Sequence, residues 1–211
     1  MSYLELQHVS KTIKQIPVLE DVNLSLVQGK IYGFVGENGS GKTMLFRAIL
    51  GFIKTSGTIS IAGQKVKLNQ KLPVNTGTII ETPHFMASST GWENLKYLAS
   101  LNHLASDEDI LAAMKVFGLD QKRNLKVKQY SLGMRQQLAI IQSFMEGQEL
   151  LILDEPTNGL DDKSVDRFIK LMKDLRDQGK TILISSHERA LIEKIADETF
   201  EMAAGHCKAL K

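Results

Sequence analysis

Short apolar or alternating runs bounded by glycine recur along the chain. They lie at Leu4–Val9, Leu24–Val27, Ile31–Val35, Thr58–Ile61 and Gly77–Ile80, and again at Leu150–Leu153, Thr181–Ile184 and Thr199–Met202. Such runs predict strands, clustered at the two ends of the chain. The middle reads differently. Thr90-Gly91-Trp92-Glu93 has the form of a capping box, and Ser106 precedes Asp109 and an apolar-periodic stretch that stops at Gly118, so residues from about 84 to 147 are expected to be helical. A further helix is expected from about Asp162 to Gly179, where Val165, Phe168, Ile169, Met172 and Leu175 share one face. It runs directly into the strand Thr181–Ile184. Strand–helix–strand order at both ends implies an α/β architecture with a largely parallel sheet, interrupted by an inserted helical subdomain.

Composition narrows the field. The 211 residues suit one domain with a sizeable subdomain, and 43% apolar with 24% charged residues exclude a disordered, collagenous or coiled-coil chain. Lysine and arginine number 26 against 24 acids, a balance that argues against a nucleic-acid partner. The single Cys207 can form no internal bridge and reads as a small hydrophobe in a reducing compartment. No apolar run approaches the roughly 18–20 residues of a membrane span, and Met1-Ser2-Tyr3-Leu4-Glu5 carries no secretion signal. The expected location is the cytoplasm or the inner face of the membrane.

Directly after the strand Ile31–Val35 stands Gly36-Glu37-Asn38-Gly39-Ser40-Gly41-Lys42-Thr43, a full match to G-x-x-x-x-G-K-[ST], opening a helix expected over Met44–Leu50. Phosphates need a concave row of backbone N–H groups at a helix start. Three glycines let the backbone bend, Lys42 adds a point charge and Thr43 a hydroxyl ligand for Mg²⁺. Downstream, the apolar strand Leu150–Leu153 ends in Asp154 and Glu155. Successive strand residues point opposite ways, so one carboxylate can serve a metal and the other a water. Ser131 reads as an N-cap in Tyr130-Ser131-Leu132-Gly133-Met134-Arg135-Gln136, a helix start with exposed N–H groups. His187, after the strand Thr181–Ile184, would by itself read as a surface group.

The ordered set resembles the nucleotide-binding subunit of ABC transporters over essentially the whole chain. The resemblance implies a P-loop NTPase (RecA-like) core, with a mainly parallel sheet, N-terminal antiparallel strands and an inserted helical subdomain. Residues 1–81 and 148–211 would form the core and 82–147 the helical part. It makes Tyr130–Gln136 the signature, with Ser131 and Gly133 reaching nucleotide in trans, Asp154-Glu155 the Walker B pair, Asn158–Asp161 the D-loop with Asp161 at the nucleotide, and His187 the switch histidine. ATP and Mg²⁺ are the implied cofactors, with Thr43, Asp154 and Glu81 at the metal and Glu155, His187, Lys42 and Glu81 in catalysis. The implied partners are a second ATP-binding subunit, head to tail, and a separate transmembrane permease.

Departures point to a subtype. Glu81 stands where the family usually has Gln, and Leu132 where many members have Gly. With Thr90–Leu95, these resemble the bacterial subgroup tied to bacitracin- and lantibiotic-type peptide export. Ile13 occupies the usual place of an adenine-stacking aromatic, so base selectivity should be poor. Phe85, Met86 and Trp92 are expected to form the permease-docking surface. The rival readings are a soluble ABC ATPase driving assembly or repair, and a small-molecule P-loop kinase; the signature and D-loop would have no purpose in the kinase.

Overall fold

The computed structural model describes residues 2–81 and 84–210. Its strands are β1 (Leu4–Ile13), β2 (Ile16–Leu26), β3 (Ile31–Val35), β4 (Thr58–Ile61), β5 (Gln64–Lys65), β6 (Thr76–Ile79), β7 (Leu150–Asp154), β8 (Thr181–Ser186), β9 (Glu198–Ala203) and β10 (His206–Ala209). The helices are α1 (Lys42–Ile49), α2 (Gly91–Asn102), α3 (Asp107–Phe117), α4 (Leu132–Phe144), α5 (Asp162–Asp177) and α6 (Arg189–Ile195).

Two sheets form. An antiparallel sheet has the order β2-β1-β4-β5, and a six-stranded sheet the order β10-β9-β3-β8-β7-β6, parallel except for β10. Alternation along the parallel strands feeds two apolar layers. Ile31, Val35, Leu151, Leu153, Ile182 and Ile184 face a layer completed by Leu95, Met114, Leu138, Phe168 and Ile192 from α2 to α6. Tyr32, Phe34, Leu150, Ile152 and Leu183 face the other, completed by Phe46 and Ile49 of α1 and by Leu4, Leu6 and Leu24 of the antiparallel sheet. Burial on both faces is why these strands read as continuous apolar runs. Inside the second layer Phe34 meets Phe46 edge-on, with ring centres 5.4 Å apart.

The helical stretch is more broken than its pattern predicts. Thr90 and Ser106 do cap α2 and α3 with full capping boxes, but residues 84–89 are a loop. Two 3₁₀ turns, Leu119–Lys122 and Val127–Gln129, separate α3 from α4. Helix α4 lies against β6 so closely that a Cβ on Gly77 would sit 1.7 Å from the carbonyl oxygen of Ser143; only glycine fits. The expected boundary between core and helical part falls at Thr82 and Pro83, outside the described residues.

Candidate active site

Every chemically notable residue of the core sits at the carboxyl ends of parallel strands, where α/β sheets bind ligands. The loop Gly36–Gly41 links β3 to α1. It can bend tightly because Gly36 lacks a side chain: a Cβ there would lie 2.3 Å from Met202 O and 2.7 Å from Ser40 Oγ. Lys42 is buried and folds back over the loop, donating to Gly36 O (2.6 Å) and Glu37 O (3.1 Å). Ser40 Oγ is buried without a hydrogen-bond partner among the described residues. A buried orphan hydroxyl and a buried lysine on one glycine-rich loop are groups that a phosphate would satisfy.

Across the sheet, Thr43 Oγ1 donates to Asp154 Oδ2 at 2.6 Å. The other oxygen of Asp154 accepts from Ser185 Oγ, which in turn accepts from the backbone N–H of Glu155 at 3.0 Å. Asp154 and Ser185 are register partners on β7 and β8, so the sheet itself aims the carboxylate at Thr43. Sequence reasoning missed Ser185. The signal was present as a polar pair closing the apolar run of β8. His187 Nδ1 stands 2.9 Å from Glu155 Oε2, and Lys42 Nζ lies 3.7 Å from Glu155 Oε1.

Glu155 and Glu81 share an unusual backbone. Both are non-glycine residues in the left-handed region, with φ of 47° and 61°, and each costs about 1–3 kcal/mol. Both lie two residues beyond the paired positions Leu153 and Ile79 of neighbouring strands. The same backbone conformation therefore follows two adjacent strands, and both residues line one cleft of about 330 Å³, shared with Asp154, Gln136 and Arg135. There the hydrogen bond found for Glu81 among the described residues is to Arg47 on α1.

Ser131, Gly133 and Asp161 stand apart from the P-loop, in a separate depression of about 580 Å³ with Lys122, Lys163 and Arg167. Ser131 caps α4 through the N–H of Met134 (3.2 Å). Asp161 caps α5 through the N–H of Ser164 (2.8 Å), and these Ser164 bonds hold its carboxyl below the usual range. Glu37, Asn38 and Gly39 are exposed at the loop tip. Of the expected docking residues, Phe85 and Trp92 are half-buried against the first apolar layer and only Met86 is exposed.

No group of three His, Cys, Asp or Glu side chains among the described residues forms a metal cage. The oxygens that Thr43 and Asp154 bring together are hard donors of the kind Mg²⁺ takes, one or two from the protein with phosphates and water completing the shell.

Residues 19–158, covering both the P-loop and the Asp154-Glu155 pair, match the family model described as ABC transporter. The chain belongs to that family. Its relatives include an uncharacterized ABC transporter ATP-binding protein, YybJ, of Bacillus subtilis, 38% identical over 96% of this chain and 93% of the relative. The bacitracin transport ATP-binding protein BcrA of Enterococcus faecalis is 39% identical over 96% of this chain and 67% of its own length. The lantibiotic transport ATP-binding protein SrtF of Streptococcus pyogenes is 34% identical over 92% and 84%. A solved structure of an ATP-binding subunit of an ABC transporter superposes with a TM-score of 0.89 at 27% identity, over 99% of this chain and 90% of that one. A dimeric ATP-binding cassette bound to ADP and Pi shares the fold, with a TM-score of 0.87 at 22% identity over 99% of each chain. The chain is thus an ATP-binding, ATP-hydrolysing transporter subunit, homologous to the bacitracin and lantibiotic ATPases, and the soluble and kinase alternatives fall away.

Proposed function

We propose that the chain powers the export of peptide antibiotics or similar compounds, as a head-to-tail dimer bound to a separate permease on the inner face of the membrane. The observation that carries the ATPase chemistry is the Thr43–Asp154 bond beside the buried Lys42. ATP with Mg²⁺ supplies the reactive phosphoanhydride. Lys42 and the backbone of Gly36–Thr43 would hold the phosphates, and Thr43 with Asp154 would hold the metal, joined by Glu81. As the water oxygen bonds to the terminal phosphorus and the P–O bond to ADP breaks, Glu155 would take the water's proton, while His187 orients that carboxylate and would reach the terminal phosphate. Ser131 and Gly133, turned away from their own P-loop, serve the partner's nucleotide.

The permease reading rests on an exposed apolar face. Tyr97, Leu101 and Leu104 recur along one side and just beyond the end of α2, and Leu101 is 61% exposed. Leu104 also lines a cleft of about 450 Å³ with Phe52, Leu72 and Asn102. A soluble chain rarely leaves such a stripe uncovered, no described helix is long and apolar enough to cross a membrane, and the relatives are named for transport. The docking face accordingly centres on Phe52, Leu101 and Leu104 rather than on Phe85 and Trp92.

The test is co-purification of tagged chain from membranes in mild detergent. A polytopic membrane protein should accompany the wild type and be lost with Leu101→Glu/Leu104→Glu, while Mg²⁺-dependent ATPase activity of the isolated subunit survives in that variant and vanishes in Lys42→Ala. Recovery of the subunit with no membrane protein would overturn the permease reading. Unchanged susceptibility of a deletion strain to bacitracin and lantibiotics would overturn the cargo reading.

A further inference from the structure

The cleft beneath the P-loop gathers three carboxylates, Glu81, Asp154 and Glu155, yet each is held differently. Asp154 is bonded on both oxygens, to Thr43 and Ser185. Glu155 is bonded to His187 and approached by Lys42. Glu81 has neither kind of support from the sheet; its side chain is 61% exposed, and its Oε1 accepts from the guanidinium of Arg47. Arg47 lies four residues after Thr43 on α1, hence on the same face of the helix and about 6 Å along its axis. Glu81 is therefore paired with the residue one helical turn beyond the hydroxyl that would bind the metal.

We propose that Arg47 is a positioning residue that competes with the metal for Glu81, so that the Arg47–Glu81 pair sets how readily Glu81 enters the Mg²⁺ shell of the bound nucleotide. The inference rests on the reading that Glu81 is a metal-shell residue. The physical case is a balance of charges. Bringing Glu81 toward Asp154 and Glu155 gathers like charges, which a divalent cation offsets, and without the cation Arg47 is the neutralising group the fold provides. The pair is partly exposed, so its grip is modest. A modest grip suits an exchange, since a buried, fully paired Arg47 would not release the carboxylate. The pair also ties the end of β6 to the helix that carries the P-loop, so the position of Glu81 reports on the metal from the strand end next to Thr82.

The experiment is a titration of Mn²⁺, read by electron paramagnetic resonance as free Mn²⁺, against full-length protein saturated with a non-hydrolysable ATP analogue. Arg47→Gln should tighten Mn²⁺ binding by about two- to fivefold, and Arg47→Lys should restore near wild-type affinity. In a Glu81→Gln background, Arg47→Gln should have no effect. That last arm separates competition for Glu81 from a general loss of positive charge, which would tighten Mn²⁺ in either background. If Glu81→Gln weakens Mn²⁺ binding but Arg47→Gln changes nothing, or tightens it equally in both backgrounds, the role of Arg47 is wrong while the metal-shell reading stands. If Glu81→Gln leaves Mn²⁺ affinity unchanged, the metal-shell reading fails and the competition fails with it. Melting curves of each variant, expected within about 2 °C of wild type for a partly exposed pair, confirm that folded proteins are compared.

Discussion

His187 and Glu155 are joined directly: the imidazole Nδ1 stands 2.9 Å from Glu155 Oε2, while Oε1 of the same carboxylate is buried with no hydrogen-bond partner among the described residues and lies 3.7 Å from Lys42. One oxygen is thus oriented and the other left free for a proton. His187→Ala should keep ATP binding within about threefold and lower kcat by about 10²-fold, the usual contribution of an oriented acid–base group. Glu155→Gln should bind ATP, hydrolyse it far more slowly and accumulate as a Mg²⁺-ATP dimer visible by size exclusion. Turnover near wild type in either variant would show that the pair is structural.

Ser185 is the hidden support of this arrangement. Its hydroxyl bonds Asp154 and accepts from the N–H of Glu155, so Ser185→Ala leaves a buried N–H unpaired and frees one oxygen of Asp154. An unpaired buried donor costs about 1–3 kcal/mol. The melting temperature should fall by several degrees, and half-maximal activity should require more Mg²⁺. A shift in stability without a shift in Mg²⁺ dependence would confine Ser185 to folding.

Ile13 is expected to set base selectivity by what it lacks. It is paired across the β1–β2 hairpin with Ile16, and both are exposed, so the tip offers aliphatic contact and no aromatic face. Stacking on an aromatic is worth about 1–3 kcal/mol per base in nucleic-acid sites. Dissociation constants for ATP and GTP should agree within about tenfold, and Ile13→Tyr should tighten ATP binding. A strong ATP preference in the wild type would mean that another group recognises adenine.

Cys207 packs against the second apolar layer, and burial pushes its thiol up to about 12. The nucleophile is the thiolate. Raising the folded-state value removes nearly all thiolate at pH 8, and it returns only as the pH rises toward 12 or the chain unfolds. Folded protein should react with an aromatic disulfide reagent at least about 100-fold more slowly than protein in guanidinium chloride. Comparable rates would place the thiol at the surface.

What could be read from the sequence follows physical strength of signal. The strands buried on both faces, β3, β7 and β8, and the capped helices α2 and α3 stand close to where pattern predicts them, because continuous burial and capping boxes are local. β2 begins at Ile16, well before the expected Leu24, because it pairs with β1 through irregular registers and carries exposed polar residues such as Asp21 and Asn23. The turn between them places Lys14 and Gln15 at positive φ without the Asn-Gly that usually announces such a turn. Helix α6 has seven residues and no side-chain cap, and β10 is a short, polar edge strand, so neither leaves a periodic trace. In the site, the P-loop and Asp154-Glu155 were legible as contiguous residues. Ser185 was legible only as a polar residue closing β8 and Arg47 not at all, since each is bonded to a partner 31 or 34 positions away.

The glycine at position 77 has a mechanical consequence. It seats β6 against Ser143, near the C-terminal end of α4, whereas Ser131 caps the opposite end, about 20 Å away along a helix of 13 residues. The contact is a fulcrum and α4 a lever arm. A tilt of about 5° about Gly77 would carry Ser131 by about 2 Å, enough to make or break a hydrogen bond, so a small rearrangement of β6 would be amplified at the far end of α4.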